Sequence, residues 1–289
     1  MMLPKRVFLN GEFLPPELAR VSVFDRGFVF ADGVYEVIPV YGRRPFRLPH
    51  HLQRLDSSLA AIQMSNPMSQ DEWGEIFNRL IGEYDDADQS IYLQVTRGVA
   101  PRDHAFPGDT RATVFAYSQP LKYPQREQVQ AGVNAITVTD IRWSRCDIKA
   151  IALLPNVLMR QMAVERGCAE AILVRDGNVT EGAASNLFIV AQGVLVTPPK
   201  GPFILPGITR DLVMELARHH KIPCVDRNIR QDELFSADEV WMTSSTKEIL
   251  PIVKIDAKTI GSGRPGPLHA RLQGLYQDYK QAFRRGEVE

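Results

Sequence analysis

Cysteine is scarce, with three in 289 residues, and Cys146, Cys168 and Cys224 form neither a C-x-x-C pair nor a match to a histidine cluster. That excludes a disulfide framework and gives no metal site, and a reducing, cytoplasmic setting is expected. Long apolar runs are lacking as well, so nothing spans a bilayer. Residues 1–26 mix Lys5, Arg6, Glu12, Glu17 and Arg20 with Pro4, Pro15 and Pro16, which leaves no apolar stretch for a secretory signal. An excess charge of one sign is also missing: 34 basic residues balance 34 acidic ones. The chain therefore projects no field that would gather nucleic acid or an anionic membrane, and a charged substrate must be met by local groups. No repeat, low-complexity tract, P-loop, H-E-x-x-H or G-x-S-x-G pattern occurs. Asn178-Val179-Thr180 fits a glycosylation acceptor but has no consequence in the cytosol.

What is present is an ordinary globular composition, 44% hydrophobic and 24% charged, long enough for two domains. Strands are expected at Arg6–Asn10, Val34–Tyr41, Ile91–Arg97 and Thr113–Tyr117. Between them, Leu52, Leu55, Leu59 and Ile62 recur at helical spacing behind Pro49. A second helix opens on the capping pattern Ser69-Gln-Asp-Glu72 and carries Trp73, Phe77, Leu80 and Ile81. Polar, Pro-containing residues 120–130 read as a linker between a domain at 1–119 and one at 131–289. In the latter, strands at Val133–Ile141, Ala171–Arg175, Asn186–Val190, Val194–Val196 and Glu239–Thr243 alternate with helices at Asn156–Arg166, Thr209–His220 and Leu268–Phe283. Asp176-Gly177 marks a hairpin turn.

Gly261-Ser-Gly263-Arg-Pro-Gly266 fits G-x-G-x-x-G formally, but it stands too near the C-terminus for a following βαβ unit, and its prolines suit a loop. The segment Asp25-Arg-Gly-Phe-Val-Phe-Ala-Asp-Gly-Val-Tyr-Glu36 reads locally as a strand bent at Gly33, a hairpin with half-buried aromatics.

Five further segments stand in a fixed order with it: Val95-Thr-Arg97-Gly-Val-Ala-Pro-Arg102-Asp-His104, Arg145-Cys-Asp-Ile-Lys149, Val179-Thr-Glu181-Gly-Ala-Ala-Ser185-Asn186, Leu205-Pro-Gly207-Ile208-Thr209 and Thr243-Ser244-Ser245-Thr246-Lys247-Glu248. Together they resemble the fold-type IV pyridoxal-phosphate enzymes, in particular the D-amino acid transaminases, from about Val7 to near the C-terminus. The resemblance implies a mixed α and β, two-domain architecture, an N-terminal α/β two-layer sandwich and a C-terminal α/β pseudo-barrel. It also implies a pyridoxal 5'-phosphate cofactor, with pyridoxamine 5'-phosphate as its other form.

By the same resemblance Lys149 is the Schiff-base lysine and moves a proton at the substrate Cα. A basic amine in this role must be partly uncharged, and the apolar Ala150-Ile-Ala-Leu-Leu154 that follows favours that, while Asp147 opposes it. Taken alone, Lys149 would be a solvated surface lysine. The family position of Glu181 is beside the cofactor's pyridine nitrogen, which a carboxylate keeps protonated; alone it would be a solvated hairpin residue. Gly207, Ile208 and Thr209 lie where a strand-like stretch enters a helix, so backbone N–H groups can face a phosphate, or simply form a helix cap. The resemblance adds Arg54 and Ser245 to the phosphate, and Ser185, Asn186, Leu205 and Ser244 to the cofactor surroundings. Tyr35, Arg102 and His104 correspond to the trap for the substrate α-carboxylate, which in the family comes partly from the partner subunit. A homodimer with shared active sites is therefore implied. Ala31, Ala183 and Ala184 depart from the glycine and serines usual in relatives, removing two hydroxyls near the expected cofactor.

The implied reaction is ping-pong transfer of an amino group from a D-amino acid, with D-alanine the expected donor, to 2-oxoglutarate, giving pyruvate and D-glutamate. A branched-chain L-amino acid or (R)-amine transaminase of the same fold is the alternative. A binding protein without turnover would need neither Lys149 nor Glu181. A cysteine hydrolase built on Cys146 lacks a fixed histidine partner.

Overall fold

The computed structural model describes residues 3–288. They divide into two units, one made of the chain up to Lys122 together with Ile148–Ala152, the other of Tyr123–Asp147 and the chain from Leu153 onward.

The first unit contains β1 (Val7–Leu9), β2 (Glu12–Leu14), α1 (Arg26–Phe30), β3 (Gly33–Tyr41), β4 (Arg44–Pro45), α2 (Leu48–Ala61), α3 (Gln70–Gly82), β5 (Gln89–Thr96) and β6 (Thr113–Pro120). Its six strands form an antiparallel sheet in the order β2-β1-β6-β5-β3-β4. The periodic stripes of α2 and α3, including Leu52, Leu55, Leu59, Trp73 and Phe77, pack on Val34, Ile38, Val40, Ile91 and Leu93. Each such side chain contributes about 1.5–3 kcal/mol by leaving water. The capping box of α3 is formed: Glu72 N donates to Ser69 Oγ, and Ser69 N donates to Glu72 Oε2 at 2.7 Å.

The segment expected to be one bent strand begins instead as the short helix α1, with β3 starting only at Gly33. Asp25 caps that helix by accepting from Gly27 N, and its carboxylate also accepts from Thr96 and Thr113. These bonds to the ends of β5 and β6 outweigh the local β preference of the aromatics. Phe28, expected to be half-buried, is 76% exposed. At Gly33 a Cβ would stand 2.6 Å from the Val95 carbonyl oxygen, so only glycine admits the approach of β5.

Lys149, expected with the second domain, belongs to the first unit. Tyr35 N donates to Lys149 O at 3.0 Å, Ile151 N to Gly33 O at 3.1 Å, and Val34 bridges Ala150. The side chain of Ile148 enters the first core.

The second unit contains α4 (Arg126–Ala131), β7 (Val133–Thr139), α5 (Leu154–Glu165), β8 (Glu170–Arg175), β9 (Asn178–Gly182), β10 (Asn186–Ala191), β11 (Val194–Thr197), α6 (Ile208–His219), β12 (Cys224–Asp226), β13 (Ile229–Arg230), α7 (Glu233–Ser236), β14 (Glu239–Ser244), β15 (Glu248–Ile255), β16 (Lys258–Thr259) and α8 (Pro267–Arg285). Its mixed sheet runs β12-β11-β10-β14-β15-β7-β8-β9-β13, with β16 paired to β15. The stretch expected as a linker holds α4. Strand β15 was not among the expected strands; although Pro251 is a residue unsuited to an inner strand, β15 pairs with both β14 and β7. Asp176 and Gly177 turn with φ of 51° and 75°, the two positive values of a tight hairpin.

The G-x-G-x-x-G stretch is a loop leading into α8. Glu239 accepts from Leu268 N at 2.9 Å and His269 N at 2.8 Å, so a carboxylate of the chain itself holds that helix N-terminus. A Cβ on Gly266 would collide with the same carboxylate. No helix among the described residues is long and apolar enough to cross a membrane.

Candidate active site

In the first unit the chemistry gathers around β3. Alternation along the strand sends Val34, Glu36, Ile38 and Val40 toward α2 and α3, and Tyr35 to the other face. Glu36 is fully buried, and its partners are His51 and Arg54, three residues apart on α2. Arg54 donates to it through Nε at 2.7 Å and Nη2 at 2.8 Å, and His51 Nδ1 lies 2.8 Å from Oε2. Burial alone would raise the Glu36 carboxyl, but the charge and hydrogen bonds of Arg54, with His51, hold it well below the usual carboxylate range. Burial lowers His51, against the pull of Glu36, and the positive charges of Arg54 and Lys149 add to the lowering. Neutral His51 then donates its Nδ1 proton to Glu36.

Lys149 is pinned through its backbone: its N–H donates to Ser58 Oγ at 3.2 Å and its carbonyl accepts from Tyr35 N. Its Nζ stands 4.1 Å from the centre of the Tyr35 ring, which stacks on Tyr92. Arg102 and His104 are exposed on the long connection between β5 and β6, beside Phe30. Within the unit Tyr35 thus stands with Lys149 and Tyr92, and Arg102 and His104 stand with Phe30.

In the second unit Glu181 on β9 is buried. Arg142 Nη1 donates to its Oε1, while Asn186 Nδ2 and Leu205 N each donate to Oε2 at 3.0 Å. Asn186 also donates to Leu205 O at 2.9 Å, closing the ring of bonds. Behind Arg142 lies Asp140, which accepts from Nε at 2.9 Å and Nη2 at 2.8 Å and from the Thr180 hydroxyl. Burial pushes Glu181 up to about 7, although Arg142 and Leu205 N–H oppose it. Burial would also raise Asp140, yet the hydrogen bonds and charge of Arg142 hold it below the ordinary range.

Helix α6 follows Gly207, an N-cap residue that supplies no side-chain cap, so its first N–H groups look toward whatever lies ahead of the helix. A Cβ on Gly207 would collide with Asn186 Oδ1. Glu181, Asn186, Leu205 and Gly207 are thereby brought together, with Ile208 and Thr209 opening the helix. Ser185 donates its hydroxyl to Glu170 at 2.9 Å, and the Ser244 hydroxyl accepts from Lys247 N. Ser245 follows in the same turn after β14.

The residues fit the implied cofactor chemically. An amine, an arginine and an uncapped helix start suit an aldehyde and a phosphate. Glu181 uses three of its roughly four lone-pair sites within the protein, which leaves one for a pyridinium N–H. Asp147 pairs with Arg145 at 3.0 Å. Burial pushes the Cys146 thiol up to about 11, and its Sγ donates to Trp143 O, both of which disfavour the thiolate a nucleophile needs. Sequence reasoning missed Glu36, His51, Asp140 and Arg142. The available signals were the i, i+3 spacing of His51 and Arg54 and the buried register of Glu36.

The amino-transferase class IV profile matches residues 33–255, which include β3, Lys149, Glu181 and the start of α6. The chain belongs to the class IV amino-transferase family. Among its relatives, D-alanine aminotransferase of Bacillus licheniformis is 43% identical over 273 residues, covering 94% of this chain and 96% of that protein. D-alanine aminotransferase of Staphylococcus aureus (strain N315) is 39% identical over 276 residues, covering 95% and 98%. Of solved structures, the branched-chain amino acid aminotransferase of Escherichia coli matches with a TM-score of 0.90 at 29% identity, covering 99% of this chain and 97% of that one. A T.th. branched-chain amino acid aminotransferase with pyridoxamine 5'-phosphate matches with a TM-score of 0.91 at 27% identity, over the same shares. The class IV amino-transferase described here is thus a pyridoxal-phosphate-dependent aminotransferase of fold type IV.

Proposed function

We propose that this class IV amino-transferase moves the amino group of a D-amino acid, with D-alanine as donor, to 2-oxoglutarate, releasing pyruvate and D-glutamate in two ping-pong half-reactions. The observation that carries the D-preference is the likeness to D-alanine aminotransferases over nearly the whole chain; Arg102 and His104, both exposed on one loop, are the cations this chain offers to an α-carboxylate.

In this proposal, as the family resemblance implies, the residues that would hold pyridoxal 5'-phosphate are Lys149, Arg54, Glu181, Asn186 and those opening α6, with Ser185, Leu205, Ser244 and Ser245 as further contacts. Bound there, it supplies an electron sink for the carbanion at the substrate Cα. Glu181, braced by Arg142, offers a carboxylate to a ring N–H. Lys149, fixed at its backbone and lying against Tyr35, takes and returns the Cα proton. Arg102 and His104, with Tyr35, orient the substrate by its carboxylate.

A homodimer with shared sites belongs to the same proposal. Leu18, Val21, Val23, Phe24 and Phe28 leave apolar surface exposed in the first unit, and Leu154, Val157, Leu158 and Met162 do so on α5. Surface of that kind is characteristic of association. Three free cysteines agree with a cytoplasmic location.

The test is the visible absorption of the protein loaded with pyridoxal phosphate, followed on adding D-alanine, with L-leucine in parallel. Change with D-alanine alone is expected. Change with L-leucine alone would replace the substrate by a branched-chain L-amino acid, and no visible band at all would remove the cofactor assignment.

A further inference from the structure

The connection from β5 to β6 carries Arg102 and His104 on exposed backbone, and residues 101–106 are exposed throughout. Its own bonds are few: Asp103 N donates to Pro101 O, and Ala105 N to Asp103 Oδ1. A loop so built would place two catalytically useful side chains loosely unless something outside it fixed the backbone.

Arg26 does so. Its buried guanidinium donates through Nη1 to Asp103 O at 2.5 Å and Ala105 O at 3.3 Å, with Nη2 3.5 Å from His104 O. The other edge of the guanidinium, Nε, donates to Asp32 Oδ2 at 2.8 Å. Asp32 is in turn held by Arg97, through Nε at 2.8 Å and Nη2 at 3.1 Å, and Arg97 is anchored to Ile62 O at the end of α2. The helix that bears Arg26 is fastened at its start by Asp25 to Thr96 and Thr113, and Arg26 N donates to Gly98 O. The Phe30 ring receives Arg26 at 4.8 Å and Arg102 and His104 at 5.3 Å.

We propose that Arg26, aimed by Asp32, is the positioning residue of the substrate-carboxylate loop: by gripping the carbonyls on either side of His104 and just after Arg102, it sets where those two side chains meet the carboxylate. This rests on the proposed role of Arg102 and His104 as the carboxylate trap. A guanidinium suits the task because its planar fork reaches a carboxylate on one edge and carbonyls on the other, whereas an ammonium is a point donor. The segment Asp25 to Asp32 thus serves substrate binding without touching substrate.

The experiment uses the full chain loaded with pyridoxal phosphate. Arg26→Lys keeps the charge and loses the fork; Arg26→Gln is the second variant should the lysine form fold poorly. Amide hydrogen exchange over residues 101–106 is expected to quicken, and the KM for D-alanine to rise about tenfold with kcat changed far less, as for hydrogen bonds to a charged group. In the Arg102→Ala, His104→Ala background, adding Arg26→Lys is expected to raise KM no further, since Arg26 acts through those residues. Phe77→Leu, a core change in the same unit, is expected to lower the melting temperature without that rise.

Faster exchange with an unchanged KM overturns the proposal, and so does unchanged exchange. It is equally overturned if the KM effects add, or if Phe77→Leu raises KM as much. If Arg102→Ala, His104→Ala leaves the KM for D-alanine unchanged, the trap assignment itself fails, and the exchange measurement still reports whether Arg26 holds the loop.

Discussion

Glu36 grips Arg54 with both carboxylate oxygens, Oε1 on Nε and Oε2 on Nη2, at a fully buried position facing α2. A paired charge at that depth is tolerated only because its geometry is bidentate and its remaining capacity is met by His51.

Glu36→Gln is therefore expected to cost about 3–5 kcal/mol of stability, because a buried guanidinium loses its counter-charge. Urea unfolding of the variant measures this. A loss below about 1 kcal/mol, the scale of an exposed pair, would mean the ion pair is not desolvated as described.

The pH dependence follows from the same cluster. His51 is lowered in the folded state, so below about 6.5 the unfolded chain binds a proton that the folded one refuses, and stability falls as the pH drops through that value. Glu36 lies well below its usual range, so a further loss sets in below about 4.3. Glu181, pushed up to about 7, acts in the opposite sense between that value and its unfolded one. The readout is thus the difference between the protein and His51→Gln in unfolding midpoints from pH 8 to pH 4: the upper step disappears in the variant. An identical slope in both would contradict the assignment.

Lys149→Ala is expected to abolish covalent attachment of pyridoxal phosphate while leaving the fold intact, since the side chain is only half-buried. Borohydride reduction followed by mass measurement should tag the parent protein and not the variant, and turnover should fall at least about 100-fold. A tag retained at another lysine would displace Lys149 from its role.

Glu181→Gln leaves Arg142 paired with Asp140 and removes the carboxylate offered to the cofactor ring. The D-alanine half-reaction should slow by at least about 100-fold, comparable to losing one preorganised electrostatic contact. Stopped-flow absorbance measures it, and a rate within a few-fold of the parent would exclude the proposed contact.

Local periodicity made much of the fold legible. The stripe of α2, the capping box of α3 and the Asp176-Gly177 turn are short-range signals, carried by residues three or four apart or adjacent. The ordered motifs pointed to a transaminase, and the profile match over 33–255 agrees. Elements whose stability comes from distant partners were not legible. Helix α1 depends on Asp25 reaching Thr96 and Thr113, and β15 on pairing with β14 and β7 despite Pro251.

By itself the sequence determined the family, the amine, the carboxylates and the arginines available for the chemistry, because those are matters of residue type and order. Only the tertiary structure decided which of them are joined. It placed Lys149 against β3, set Asp140 behind Arg142 and Glu181, and turned Arg26 onto the carbonyls around His104. The reason is physical: hydrogen bonds and charge pairs act over a few ångströms, and residues separated by tens of positions come within that range only when the chain has packed.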